Sequence, residues 1–223
     1  MISETTLAQL AGLSLTGRPL VICDVDEVVV HFTRDFEDFL AARGLWLDTS
    51  SFALNGNVRS QASNDPVENA HVAGLIDVFF AERTLHMAPI DGAVESLLHI
   101  GESADMVLLT NLPHSSGADR RQNLASHGLV FPVVTNSGPK GPAVRQLAAT
   151  AGGATVFIDD SPAFIRQAFE HAPDVHLVHF LHDERFARHI EPFDYLSLRT
   201  GSWSEARPHI LDILRACAEA YPA

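Results

Sequence analysis

The chain reads LVICDVDE at residues 20–27, and this stretch decides its fold. The first four residues, Leu20–Cys23, are apolar without the alternation of a half-exposed strand, so they predict a parallel strand buried on both faces. Two acids, Asp24 and Asp26, follow directly, on either side of Val25. Because acids are rarely placed beside a buried strand without a partner, this strand end is a candidate functional site.

The rest of the chain alternates between strand and helix patterns. Apolar runs rich in β-branched residues predict four more strands, at Met106–Leu109, Phe131–Thr135, Thr155–Ile158 and Val175–Phe180. Apolar residues at helical spacing predict helices at Asp91–Ile100, Asp119–His127, Pro142–Ala151 and Pro162–His171. Ser202–Glu205 predicts a capping box that opens a last helix ending near Ala218. This order is typical of an α/β fold in which helices cover both faces of an open parallel sheet.

One segment interrupts the alternation of strands and helices. About sixty residues separate the first strand from the helix at Asp91, far more than an ordinary connecting loop needs. This segment contains a predicted helix at Thr33–Arg43, a polar stretch at Asp48–Asp65 and a longer helix at about Pro66–Leu85. A long insertion with its own helices indicates a lid. The predicted domains are a core of residues 1–32 and 88–223 and a small helical cap of residues 33–87.

The composition limits the classes of partner. With 15 Lys and Arg against 28 Asp and Glu in 223 residues, the formal net charge is −13. Such a charge disfavours binding to nucleic acid or to an anionic membrane. The amino-terminal residues lack the pattern of a signal peptide, and no apolar run approaches the roughly 20 residues needed to cross a bilayer. We therefore expect a cytoplasmic protein with no membrane or nucleic-acid partner, and the oligomeric state stays open.

Polar side chains gather where the predicted strands end. In open parallel sheets, ligands bind beyond the carboxyl ends of the strands. Carboxylates there, without Cys or His at metal-ligand spacing, suit a hard cation, for which Mg²⁺ is the best candidate. A lysine and a threonine hydroxyl beside such a metal form a suitable set for a phosphoryl group. The candidate residues are Asp24, Asp26, Thr110, Asn111, Lys140, Asp159 and Asp160.

Taken in order, these residues resemble the four motifs of the haloacid dehalogenase (HAD) superfamily. The resemblance covers about residues 18–32 and 88–182 but not the insertion. It departs from the family pattern at Glu27, where members often carry Gly, so either the turn differs or another acid lies near the site. The motifs are Asp24-Val25-Asp26-Glu27-Val28, then Thr110, then Lys140, then Asp159-Asp160.

The resemblance implies a role for each motif. Asp24 would attack phosphorus and form an aspartyl-phosphate, and Asp26 would protonate the leaving group and then activate water. Thr110 and Lys140 would hold the phosphoryl oxygens, with Asn111 beside them in the substrate site. The resemblance implies that Mg²⁺ is held by Asp24, the main-chain carbonyl of Asp26, Asp159 and Asp160, without ranking the last two.

Plainer interpretations exist for several residues. Asp159 and Asp160 precede a Ser-Pro pair and would also suit the amino terminus of a helix. Lys140 lies in a Gly- and Pro-rich loop, where a solvated lysine is common. Arg120 and Arg121 are a candidate phosphate clamp, but we predict that they form the solvated face of their helix. The 12 histidines show no paired metal-ligand spacing, and none is assigned to the site.

The resulting hypothesis is a Mg²⁺-dependent phosphomonoesterase for small phosphorylated metabolites, such as nucleotides or sugars. Two alternatives are a dehalogenase-like hydrolase that uses the same aspartate on carbon, and a non-catalytic module that binds a phosphate ligand. Substrate specificity is expected to lie in the cap. There Asn55, Asn57 and Arg59 belong to a polar loop that either reaches the distal end of the substrate or is merely solvated.

Overall fold

Six parallel strands organise the part of the chain that the structure describes. The computed structural model describes the backbone of residues 2–220 and the side chains of residues 2–216. The strands of the chain are β1 Leu20–Cys23, β2 Leu45–Leu47, β3 Val58–Ser60, β4 Asp105–Thr110, β5 Val133–Thr135, β6 Thr155–Asp159, β7 His176–Phe180 and β8 Leu198–Thr200. The parallel sheet has the order β5-β4-β1-β6-β7-β8, and β2 and β3 form a separate antiparallel pair.

Strand β1 lies inside this sheet, between β4 and β6, and its four side chains are fully buried. Alternate side chains enter different hydrophobic clusters. Val21 and Cys23 belong to one cluster, and Leu20 and Ile22 belong to the other. Since the side-chain period of a strand is two, a strand that is covered on both faces is apolar throughout. The burial of β1 on both faces is therefore confirmed.

Helices cover both faces of the sheet. They are α1 Glu4–Ala11, α2 Thr33–Ala41, α3 Asn69–Arg83, α4 Ala93–Ser103, α5 Gly117–Ser126, α6 Gly141–Ala148, α7 Pro162–His171, α8 Glu184–Ala187 and α9 Trp203–Ala220. Apolar residues of α1, α6 and α7 join the cluster on one face, and those of α4, α5 and α9 join the cluster on the other. The predicted α/β fold with an open parallel sheet is confirmed.

The structure contains short elements that the sequence patterns do not predict. These are α1, α8, β8 and the hairpin of β2 and β3, each of eight residues or fewer. Elements this short carry too few residues for a hydrophobic period to stand out. Strand β3 lies within the polar stretch at residues 48–65, so the inserted segment is not purely helical.

The start of α9 differs from the predicted capping box. Ser202 Oγ does accept a hydrogen bond from the Ser204 N–H at 3.2 Å. The Glu205 carboxylate, however, accepts from Thr200 Oγ1 at 2.6 Å instead of reaching back to Ser202. The Ser202 N–H donates to Thr200 Oγ1 at 3.1 Å, so the Thr200 side chain at the end of β8 takes the place of the glutamate.

Over residues 2–220, no helix has the length and hydropathy needed to cross a membrane.

The insertion of residues 33–87 is held together by phenylalanine rings. The ring of Phe79 on α3 meets those of Phe36 and Phe39 on α2 edge-on, with centroids 5.2 and 5.5 Å apart. All three rings belong to the cluster that also contains Val21 and Cys23 of β1. Edge-to-face contacts of this kind add to the stability gained from burying the rings. The insertion and the sheet therefore share one hydrophobic core.

Candidate active site

The predicted site residues meet beyond the carboxyl ends of β1, β4 and β6. Asp24 follows β1 directly, Thr110 ends β4 and Asp159 ends β6, while Lys140 immediately precedes α6. Neighbouring strands of a parallel sheet bring their carboxyl ends to one edge, so residues far apart in sequence become neighbours. The structure brings together all seven candidate residues, including Asn111, which lies beside Asp24, Asp26 and Asp160.

Lys140 is the cation at the centre of this cluster. Its Nζ lies 2.7 Å from Asp24 Oδ1 and 2.8 Å from Asp159 Oδ2, and its side chain is fully buried. Burial by itself would lower the pKa of Lys140, but the carboxylates of Asp159 and Asp24 outweigh this effect and raise the pKa above its ordinary value. The interpretation of Lys140 as a solvated loop lysine is therefore wrong.

Three carboxylates surround this single lysine. Ligand atoms of Asp24, Asp159 and Asp160 all lie within 4.8 Å of one another. Burial raises the pKa of Asp160 well above its ordinary value, and the charges of Asp159 and Asp24 raise it further. Burial likewise raises the pKa of Asp24, with Lys140 opposing the shift. When all three acids are ionised, they carry more negative charge than Lys140 can balance, and an all-oxygen donor set of this kind fits Mg²⁺.

The two acids at the end of β6 differ in how many hydrogen bonds their carboxylates accept. Asp159 Oδ2 accepts from Lys140, and its Oδ1 accepts from the Ser161 N–H at 2.9 Å. The carboxylate of Asp160 accepts no hydrogen bond from the described residues and lines a cavity. Asp160 is therefore the more available of the two for a ligand.

The Asp26 carboxylate is held by Thr110 and Arg120. Its Oδ2 accepts from Thr110 Oγ1 at 3.0 Å, and its Oδ1 accepts from Arg120 Nη2 at 2.5 Å. The Arg120 side chain is fully buried on α5, and its Nη2 also contacts Met87 Sδ at 3.3 Å. In this structure the Thr110 hydroxyl thus donates to Asp26, and the contact of Thr110 with a phosphoryl oxygen stays a prediction.

The prediction that Arg120 lies on the solvated face of its helix is wrong. Arg121 is exposed as expected, but Arg120 shares the buried face of α5 with Gly117 and Leu124. The spacing of these three residues was a usable signal, because residues three and four apart lie on one side of a helix. The ion pair with Asp26 explains how a guanidinium can be buried there.

No protein-family model matches the chain, and no curated protein matches its sequence. Solved structures do match. A haloacid dehalogenase-like hydrolase from Streptococcus pneumoniae gives a TM-score of 0.62, at 12% identity, over 86% of this chain and 98% of its own. An HAD family hydrolase from Deinococcus radiodurans R1, with bound phosphate and sodium, gives 0.59, at 16% identity, over 88% and 96%. The chain has the HAD fold. The defluorinating L-2-haloacid dehalogenase Rha0230 gives 0.52, at 13% identity, over 89% and 99%.

The departure from the HAD pattern at Glu27 has a structural role. Glu27 adopts a positive φ of 61°, the conformation that glycine adopts most easily. Its Oε2 accepts hydrogen bonds from the N–H groups of Phe32 at 3.1 Å and Thr33 at 2.7 Å, which open α2. Of the two expectations for this position, the second holds, because the backbone keeps the left-handed conformation that glycine would adopt while the carboxylate places another acid near the site. Glu27 joins the first motif of the HAD core to the first helix of the insertion.

One histidine contacts the backbone of the candidate active site. His179 on β7 is fully buried, and its Nε2 lies 3.0 Å from the main-chain oxygen of Asp160. Burial lowers the pKa of His179 to about 4, so the ring is neutral at pH 7 and Nε2–H donates to that carbonyl. Scattered histidines in the sequence give no signal for this contact, because it depends on the pairing of β6 with β7.

A cavity of about 300 Å³ lies between the HAD core and the insertion. Asp24, Asp26 and Asp160 line it, together with Asn111. The Asn111 amide is held by neighbours, since its Nδ2 donates to the Gly138 carbonyl at 2.8 Å. The remaining lining residues are Glu27, Phe32, Thr33, Leu47, Phe52, Ala53, Leu54, Ile76, Phe80, Ser161, Phe164 and Phe186.

The polar loop of the insertion does not line this cavity. Asn55, Asn57 and Arg59 are all absent from its walls. Asn57 is buried and donates to the Ser51 carbonyl at 3.1 Å, while Arg59 Nη1 donates to the Asn64 carbonyl at 3.0 Å. The suggestion that these residues reach a substrate is therefore not supported, since two of them stabilise the loop itself.

Proposed function

We propose that the protein is a Mg²⁺-dependent phosphohydrolase of the HAD superfamily, which cleaves a small phosphomonoester through an aspartyl-phosphate on Asp24. The observation that carries this proposal is the position of Asp24, which lines a cavity while forming an ion pair with Lys140 and clustering with Asp159 and Asp160. A carboxylate nucleophile requires such neutralisation when it approaches a phosphoryl group. Residues 33–87 act as the cap that excludes bulk water.

The reaction proceeds in two displacements at phosphorus. Asp24 attacks, the bond from phosphorus to the ester oxygen breaks, and Asp26 gives that oxygen its proton, so the alcohol departs. Asp26 then takes a proton from a water molecule, which attacks the aspartyl-phosphate, releases phosphate and restores Asp24. Lys140 holds Asp24 in place throughout and shares the charge of the transferring group.

Arg120 is the positioning residue for Asp26 in this scheme. Asp26 contacts Arg120 and Thr110 through different carboxylate oxygens, so rotation of its carboxylate breaks at least one hydrogen bond. Proton transfer requires a donor held within hydrogen-bond reach of the ester oxygen. The buried guanidinium fixes the direction in which Asp26 faces the cavity.

The residues that would hold Mg²⁺ are Asp24, Asp160 and the main-chain carbonyl of Asp26, with Asp159 as their neighbour. We assign direct contact to Asp160 because its carboxylate has no other partner among the described residues, whereas Asp159 accepts from Lys140 and Ser161. When bound, the ion neutralises the phosphoryl oxygens and withdraws charge from them. His179 steadies the backbone at Asp160.

The first test is release of inorganic phosphate from acetyl phosphate. We expect turnover with Mg²⁺, its loss on addition of EDTA, and its return with excess Mg²⁺. An Asp24→Asn preparation, purified identically, reports any contaminating phosphatase. Binding of a phosphate analogue without turnover would instead indicate a binding module. Halide release from a haloacid without phosphate release would indicate a dehalogenase, which needs no metal.

The second test separates the two acids of β6. Asp160→Asn should raise the Mg²⁺ concentration for half-maximal activity by at least about tenfold, because it removes a direct ligand. Asp159→Asn should raise this concentration less and reduce the maximal rate, because it frees Lys140 from one partner. Asp174→Asn, which changes an exposed acid before β7, is the matched control for the lost charge. An Asp159→Asn variant with the larger loss of Mg²⁺ affinity would reverse the assignment.

A further inference from the structure

The wall of the active-site cavity is mostly hydrocarbon. Of its sixteen lining residues, nine are apolar, and five of these nine are phenylalanines. The polar lining residues are mainly core residues of the catalytic motifs or their immediate neighbours. The insertion contributes mostly apolar side chains, namely Leu47, Phe52, Ala53, Leu54, Ile76 and Phe80. A substrate whose phosphoryl group reaches Asp24 therefore places the rest of its body against apolar surface.

The cavity also offers no cation for a second negative charge. None of its sixteen lining residues is Lys, Arg or His. The two cations beside the catalytic acids are already engaged, since Lys140 lies between Asp24 and Asp159, and Arg120 pairs with Asp26. A carboxylate or second phosphate on the substrate would lose its water without gaining a partner, which is costly. Sugar hydroxyls that face the phenylalanine rings would also lose water without gaining a hydrogen-bond partner, at a smaller cost than a charged group.

The insertion and the core close the cavity together. Phe52 of the insertion meets Phe186 of α8 edge-on, with ring centroids 5.5 Å apart, and both rings line the cavity. Beside them, Arg185 of α8 reaches Glu37 of α2 through two hydrogen bonds of 2.8 and 2.9 Å. Both contacts join the insertion to α8 and so hold the apolar wall in place against the core.

We propose that the substrate is a monoester with an uncharged, largely apolar leaving group, such as an aryl, benzyl or alkyl alcohol. This inference rests on the proposed function for the reaction, but the ligand class follows from the wall alone. The cavity of about 300 Å³ is larger than the roughly 150 Å³ that holds one benzene molecule, so a phosphoryl group and one ring fit together. Sugar phosphates, which the sequence suggested, are disfavoured.

The first experiment compares phosphate esters whose alcohols differ in polarity but are similar as leaving groups. Hexyl and benzyl phosphate are set against glucose 6-phosphate and glycerol 3-phosphate, whose alcohols are no worse as leaving groups. We expect kcat/KM to be at least about tenfold higher for the apolar esters, and to rise by about fourfold for each methylene added from propyl to hexyl phosphate. Equal or higher values for the sugar or glycerol ester would overturn the inference while leaving the phosphatase function intact.

The second comparison varies charge at constant shape. Phenyl phosphate should exceed 4-carboxyphenyl phosphate by at least about tenfold in kcat/KM, although the carboxylated phenol is the better leaving group. Leu54→Arg adds a cation to the wall and should shrink this ratio. Val130→Arg adds the same charge at a site that is 82% exposed, before the amino end of β5, and should leave the ratio unchanged. A ratio near one in the unaltered protein contradicts the inference.

A binding measurement keeps the inference independent of turnover. Calorimetry compares benzylphosphonate with phosphonoacetate, neither of which can be hydrolysed, in the presence of Mg²⁺. If no ester is cleaved but benzylphosphonate binds at least about tenfold more tightly, the proposed function fails and the ligand class stands. If phosphonoacetate binds equally well or better, the ligand class is wrong whatever the enzyme hydrolyses.

Discussion

Replacing Asp24 with Asn is expected to lower turnover by more than about 10⁴-fold, the scale of losing a covalent nucleophile. The amide cannot displace the alcohol at phosphorus, so no aspartyl-phosphate forms. The measurement is rapid acid quenching with labelled substrate, which should trap a phosphoenzyme in the unaltered protein that hydroxylamine cleaves. Asp24→Asn should yield neither product nor phosphoenzyme.

Two controls accompany the Asp24 variant. Asp24→Ala guards against slow deamidation of Asn back to Asp, and both variants should fold, because removing one acid relieves repulsion among three clustered carboxylates. Asp194→Asn, at an exposed acid, should keep full activity and a normal phosphoenzyme. Near-normal turnover by Asp24→Ala would show that Asp24 is not the nucleophile.

The second large effect is expected at Asp26 and Arg120. Asp26→Asn should slow the reaction by about 10²–10⁴, the usual scale for losing a general acid–base. Arg120→Met should cause a loss of similar order, because Asp26 then keeps only its hydrogen bond from Thr110. If Arg120 acts only through Asp26, the double variant should be no slower than Asp26→Asn alone. The measurement is kcat and KM for all four proteins.

Several readouts separate positioning from a merely structural role. The loss of rate in Arg120→Met should be large for hexyl phosphate, whose leaving alcohol needs a proton, and small for acetyl phosphate, whose leaving group, acetate, departs without one. Arg120→Lys should keep part of the rate that Arg120→Met loses. Arg121→Met, a control at the exposed neighbouring residue, should keep the full rate of the unaltered protein. Additive losses in the double variant, or equal losses on both substrates, would remove Arg120 from its assigned role.

Much of the HAD core could be predicted from particular residues. The uninterrupted apolar run at Leu20–Cys23 predicted a strand covered on both faces, and such strands belong to parallel sheets with helices on each side. Once the sheet is parallel, its carboxyl ends share an edge, so Asp24, Thr110 and Asp159 become neighbours. Their convergence follows from topology, and a linear pattern is sufficient to predict it.

The sequence by itself determined the α/β fold and which polar residues meet at its strand ends. The tertiary structure decided the partners, namely that Arg120 turns inward to Asp26, that Glu27 binds the start of α2, and that Asn57 serves its own loop. It also decided that the insertion presents phenylalanines to the cavity. The physical reason is that periodicity records which side of an element is buried, whereas the partner of a buried charge or ring lies on another element. The Arg120 guanidinium, for example, is stable inside the protein because the Asp26 carboxylate, 94 positions away in the sequence, faces it.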